Sequence, residues 1–341
     1  MTESDAIRDA VRACATAGPA EAEPGGWPGR DWARFEVEGF TRPDLYAEPG
    51  SEDALAVEAG LLAACGDVPV AAPLAENALA CLLLAEGGIP HRGGVLTIAR
   101  AGGRGGAEVF DAVPWGRHAA AIVTIVSGRL ALVGMEGATV TPGLGIADEP
   151  RDLVAATAEP VLGRALAAEA FDARCAAARA RQIVAAAEAV LAMTVGHAGQ
   201  RRQFGRPIGK FQAVQHLLAA ASSEVAAAAR AIADVDAIRR AGGDATFPSA
   251  IAKIAADAAG RAAAQAGHQV HGAIGYTMDY GLQRFTRRIQ GWRNEFGSAA
   301  TWSRFVGEQV LADADRPLWA IVTDGSTAPS AAARSETGRI G

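Results

Sequence analysis

Two polar, glycine-punctuated segments hold the side chains best suited to chemistry: Arg201 to His216, RRQFGRPIGKFQAVQH, and Gln269 to Tyr276, QVHGAIGY. In the first, the Arg201 guanidinium suits a forked, charge-assisted grip on a diphosphate, and Phe204 offers an aromatic face to a purine. Phe211-Gln212 then restarts a helix and brings an amide donor. In the second, Gly272 and Gly275 bracket a turn where a backbone without Cβ can approach a bound molecule closely. Arg201 beside Arg202 would by itself be an ordinary solvated pair at a helix end. The run from Gln203 to Gly209 changes that reading, because a purely structural elbow has little need of its polar and aromatic groups.

Other chemistry finds little support. The glycine-rich run from Ala101 to Gly106 is followed by strand-like AEVFDAV rather than a helix, so it reads as a hairpin turn and not a dinucleotide loop. His268 and His271 share a helical face but have no third ligand nearby, which leaves a metal site unsupported; packing or a ribose contact suits His271 better. No GxSxG, HExxH or Walker-type motif occurs. Cys14, Cys65, Cys81 and Cys175 lack ligand spacing and read as reduced, buried small hydrophobes.

These segments need a scaffold, and 341 residues suffice for two or three domains. Of the 32 basic residues only Lys210 and Lys253 are lysine, a bias expected of a GC-rich genome, and the net charge of -6 argues against a nucleic-acid binder. The polar, amphipathic start does not read as a signal peptide, and no apolar run reads as membrane-spanning, so a cytoplasmic protein is expected. Residues 1–90 read as short helices, with helical periodicity through Ala54 to Cys65 and Glu76 to Ala85 and a loop from Ala17 to Arg30. Residues 91–159 read as a small antiparallel β-domain with strands near 94–98, 107–110, 121–125 and 130–133. Residues 160–316 read as a bundle of four Ala-rich helices, Leu162–Ala198, Phe211–Ala241, Pro248–Gly267 and Ser298–Ala314. Residues 317–341 read as a disordered tail.

The two segments resemble those with which acyl-CoA dehydrogenases grip the adenine and diphosphate half of FAD. The order of helices, small β-domain and four-helix bundle is also similar to that family's architecture. The resemblance implies a mainly α fold with a small β-domain, and places Arg201, Gln203, Phe204, Phe211, Gln212, Gln269, Val270, Gly272 and Ala273 at the cofactor. Ala273 stands where the family usually has a second glycine. In the family, a Tyr-Glu-Gly-Thr turn after an Arg-rich helix carries the catalytic Glu. Here, within Arg284 to Ser298, Phe296 falls at that position and Glu295 one residue before it. The family's other base position, 26 residues before the diphosphate-binding Arg, is Cys175. The Thr-Glu-Pro, Gly-Ser-Asp and Trp-Ile-Thr segments that hold the flavin ring are missing between Cys65 and Pro160.

A chain with the adenine side and without the ring side resembles the short subunit of actinobacterial heterotetrameric acyl-CoA dehydrogenases of the steroid side-chain type. That resemblance implies a shared FAD, an α2β2 assembly with a second dehydrogenase-like subunit, and an acyl-CoA bound mainly by that partner. Two alternatives remain at this point: a self-sufficient homomeric dehydrogenase with Glu295 as base, and a structural partner subunit without flavin.

Overall fold

The computed structural model describes residues 2–15, 24–46, 48–68, 72–91, 93–102, 108–312, 317 and 319–320. Four helices come first: α1 (Glu3–Cys14), α2 (Gly29–Val37), α3 (Glu52–Asp67) and α4 (Leu74–Gly87). Two of the starts are capped by local side chains, Thr2 and Asp5 forming a reciprocal cap on α1 and Ser51 capping α3. Helices α3 and α4 are apolar almost all round, because both are buried in one core with β1, β3 and the start of α5.

Seven strands follow: β1 (Leu96–Ile98), β2 (Glu108–Pro114), β3 (Ala121–Val126), β4 (Arg129–Gly134), β5 (Thr139–Thr141), β6 (Arg151–Ala156) and β7 (Val161–Ala165). They form two sheets, ordered β1-β3-β4-β7 and β2-β6-β5, with Phe110, Val113, Ile122, Val133 and Val154 in the core between them. The expectation of an antiparallel domain needs one correction, since β1 pairs with β3 in parallel. The intervening β2 goes to the other sheet, so β1 and β3 meet without a hairpin. The turn expected at Ala101–Gly106 falls mostly outside the described residues, but Ala101 and Phe110 flank it as an antiparallel bridge.

The C-terminal region comprises α5 (Ala168–Gln200), α6 (Gln212–Arg240), α7 (Thr246–His271), α8 (Leu282–Trp292) and α9 (Ala299–Ala312), with a two-strand elbow, β8 (Arg202–Gln203) and β9 (Arg206–Pro207), between α5 and α6. The helix expected from Leu162 begins only at Ala168. Val161–Ala165 pairs with β4 instead, and its Gly163 approaches the Gly87 carbonyl so closely that an added Cβ would lie 2.7 Å from it. A short apolar run of this kind has no periodicity that separates strand from helix. Helix α8 makes a fifth member beside α5 and α7.

Contrary to the expectation that no segment is long enough, α5 has the length and mean hydropathy of a membrane span. It is instead a central helix of the bundle, with 56% of its most apolar window buried. The tail reading lies outside the described residues apart from Pro317, Trp319 and Ala320.

Small residues set the helix spacing. A methyl at Gly66 on α3 would lie 2.3 Å from the Gln182 carbonyl oxygen and 2.8 Å from the Ala185 Cβ on α5. Gly66→Ala must therefore push α3 from α5, and a loss of about 1–3 kcal/mol is expected from overpacking. Urea unfolding checks this, and an unchanged midpoint would contradict the close approach.

Candidate functional site

Three helix ends meet at one end of the bundle: the C-termini of α5 and α7 and the N-terminus of α6. His197, one turn before Arg201, stacks on His271, the last residue of α7, with ring centroids 4.4 Å apart. The two segments singled out in the sequence are thus neighbours in space. His271 is buried: its Nδ1 lies 2.8 Å from the Gly267 carbonyl, to which it must donate, and its Nε2 lies 3.0 Å from the Tyr280 hydroxyl. It is a packing residue, and the ribose contact has no support. His268 bonds Thr286 and stacks on Tyr276. Burial first, and the neighbouring His271 next, lower the proton affinity of both His197 and His268, with Arg201 adding to the effect at His197. No cluster of three potential metal ligands occurs among the described residues.

Arg201 ends α5 in an extended conformation and leaves its side chain exposed. Its carbonyl accepts from Ile208 N at 2.8 Å, which closes the elbow at its base. Phe204 occupies the left-handed region at φ 50° and is 93% exposed, with its ring edge-on to Phe211 at 6.2 Å. A strained backbone holding a large apolar ring in solvent is a site-like feature rather than a packing one. Gln203 and Gln212 are exposed beside it, Gln212 in the first turn of α6, whose N–H groups favour an anion. Arg206, not among the residues selected from sequence, stands 4.3 Å over the Phe211 ring.

At the end of α7 Gln269 is exposed and Val270 half-buried, and in the 3-10 turn after it Gly272 and Ala273 are exposed. Gly272 takes φ 65° and ψ -143°, a conformation that disfavours any side chain, and an added Cβ there would meet nothing within 4 Å. Ala273 keeps a negative φ in the following 3-10 turn. The conformational demand therefore falls on Gly272, and alanine at 273 carries no backbone strain.

Glu295 behaves differently from a base. Its Oε1 is met by Arg151 Nε at 2.8 Å and Nη2 at 2.7 Å, and its Oε2 by Arg179 Nη2 at 2.7 Å. Arg179 also bonds Glu76 and Gln182, each at 2.6 Å, while Arg151 and Arg288 share Glu149. Burial alone would raise the Glu295 carboxyl, but Arg151 and Arg179 outweigh it and hold the pKa at about 2. A carboxylate so held is a weak proton acceptor. Sequence reasoning missed this network, because its members lie on α4, β6, α5 and α8 and in the connecting turns. It also missed Lys253, fully buried, whose Nζ donates to the carbonyls of Arg293 and Gly297 and fixes the turn carrying Glu295. A lysine kept in so arginine-rich a chain was the available signal. Cys175 is buried, and burial pushes its thiol well up, so it offers no base either.

Residues 163–311 match the family model described as acyl-CoA dehydrogenase, C-terminal domain. That match covers less than half of the chain, and it makes the C-terminal region similar to the acyl-CoA dehydrogenase C-terminal domain. Among curated relatives, acyl-CoA dehydrogenase IpdE2 of Mycobacterium tuberculosis is 38% identical over 114 residues, 33% of this chain and 34% of that protein. The match therefore spans about a third of the relative's length. Among solved structures, the ChsE4-ChsE5 complex from Mycobacterium tuberculosis matches with a TM-score of 0.77 at 21% identity, covering 93% of this chain and 98% of the matched one. The Tcur3481-Tcur3483 steroid ACAD G363A variant matches with a TM-score of 0.73 at 22% identity, over 92% and 97%. At these identities the likeness is one of fold, and it extends the acyl-CoA dehydrogenase architecture over nearly the whole chain.

Proposed function

We propose that the chain is one subunit of a cytoplasmic, flavin-dependent acyl-CoA dehydrogenase that introduces an α,β double bond into an acyl-CoA thioester. It supplies the adenine and diphosphate side of a shared FAD to a second dehydrogenase-like subunit in an α2β2 assembly. Arg201 and the α6 N-terminus would hold the diphosphate, Phe204 would cover the purine, and Gln203, Phe211, Gln212 and Gln269 would complete the grip, with Val270, Gly272 and Ala273 shaping the turn beside it. The residues present suit that group, since the exposed aromatic ring, the guanidinium and the side-chain-free turn lie at one end of the bundle. When bound, FAD supplies the hydride acceptor for the substrate β-carbon.

The observation that carries the assignment of roles is the locking of Glu295 by two arginines. With Glu295 and Cys175 both unfit as base, the α-proton is removed by a group on the partner, and this chain binds and orients. The likeness to chains from two-component complexes supports the same reading, and the steroid ACAD among them favours a bulky lipid acyl group.

Expression with and without the partner, followed by a visible spectrum, tests the proposal. The chain alone is expected to purify with little or no FAD, because half a site holds the cofactor weakly, and the complex is expected to be yellow. Stoichiometric flavin in the lone chain would sink the division of roles.

A further inference from the structure

Phe204 stands at the tip of a two-residue turn. Gln203 pairs with Arg206 across the β8–β9 hairpin, and the residues between them, Phe204 and Gly205, both take positive φ, 50° and 79°. Tight hairpin turns of this kind favour Asn and Gly, and a bulky side chain in that conformation is strained. At 93% exposure the Phe204 ring has almost no packing to set its direction. Its ring partner among the described residues is Phe211, with centroids 6.2 Å apart and planes nearly perpendicular at 87°.

Phe211 is better anchored. It is half-buried at the N-cap of α6, and its N–H donates to the Ile208 carbonyl at 3.1 Å. Arg206, exposed on β9, lays its guanidinium 4.3 Å over the Phe211 ring, and among the described residues no ion pair draws it elsewhere. This contact closes one face of Phe211 to any other stacking group. It also holds the ring plane against which Phe204 rests, because a guanidinium is attracted to the aromatic face and packs flat on it.

We propose, resting on the cofactor reading of this bundle end, that Arg206 is a positioning residue for the purine of FAD: through Phe211 it sets the direction of the Phe204 ring. Phe204 is the platform on which the purine stacks, and the Arg206–Phe211 pair is its brace. The guanidinium itself touches neither purine nor diphosphate. A strained turn can hold its exposed ring ready for a ligand only if something outside the turn fixes that ring, and Phe211 under Arg206 does so.

FAD titration of the partner complex tests this with Arg206→Ala, Phe211→Leu, the two combined, and Arg201→Ala as the reference. Arg206→Ala is expected to weaken FAD about two- to fivefold, the scale of an exposed cation–ring contact. In the Phe211→Leu background, with no ring left to brace, the same change is expected to cost nothing further. In the full chain without ligand, Arg206→Ala is expected to move the NMR ring resonances of Phe204, assigned by their loss in Phe204→Leu, which a remote structural role would not do. Equal losses in both backgrounds would make Arg206 a direct ligand and overturn the proposal, as would unmoved Phe204 resonances or no loss from Arg206→Ala. If Arg201→Ala alone weakens FAD, the brace falls and the cofactor reading stands; if neither variant does, both fall.

Discussion

Glu295→Ala is expected to lower the unfolding free energy by about 3–5 kcal/mol, because it leaves two buried guanidinium groups without their shared counter-ion. Arg151 and Arg179 are only 10% and 4% exposed, and each retains one other carboxylate, Glu149 and Glu76 respectively. Those retained partners favour the lower end of the range. The acid side of the stability curve provides an independent check. The Glu295 carboxyl is held at about 2 against an ordinary 4.5. Since its folded value is depressed, its contribution is fully present above about pH 4.5 and is lost as pH falls through about 2. At 1.4 kcal/mol per unit that contribution is about 3 kcal/mol. Glu295→Gln, which keeps the shape without the titration, should flatten the fall in stability across that window, as read by urea unfolding at a series of pH values. In the assembled enzyme the same variant should lose far less than the two to four orders of magnitude that removal of a base typically costs. A loss of that size, with fold and flavin intact, would make Glu295 the base and restore the self-sufficient reading.

Arg201→Ala is expected to weaken FAD binding to the complex by roughly ten- to a hundredfold, the effect of about 1.5–3 kcal/mol from a charge-assisted bond to phosphate. Arg202→Ala should be far milder. Helix α5 stops at Gln200, and Arg202 opens strand β8. On a strand, successive side chains point to opposite sides, and the Arg202 guanidinium donates to the Gly205 carbonyl at 3.1 Å within its own elbow. Flavin titration of the two variants separates a cofactor grip from a merely basic helix end. Equal losses, or no loss from Arg201→Ala, would remove the bundle end from the cofactor site.

The sequence by itself determined the local features of this protein. The Ala-rich periodic stretches became α6, α7 and α9 to within a few residues of each end, because long helices carry their signal in every turn. The elbow after Arg201 and the turn at Gly272 were legible because glycine, proline and exposed aromatic residues mark backbone conformations directly. Sequence did not reveal β5, β6 and β7, which are stabilised by partners distant in the chain. Nor did it separate the two readings of Glu295. A carboxylate beside an arginine-rich helix is a base or an ion-pair partner according to which guanidinium groups surround it. Those come from Arg151, 144 residues away, and from Arg179, on another helix. Only the tertiary structure brings them together, and burial then strengthens their hold on the carboxylate.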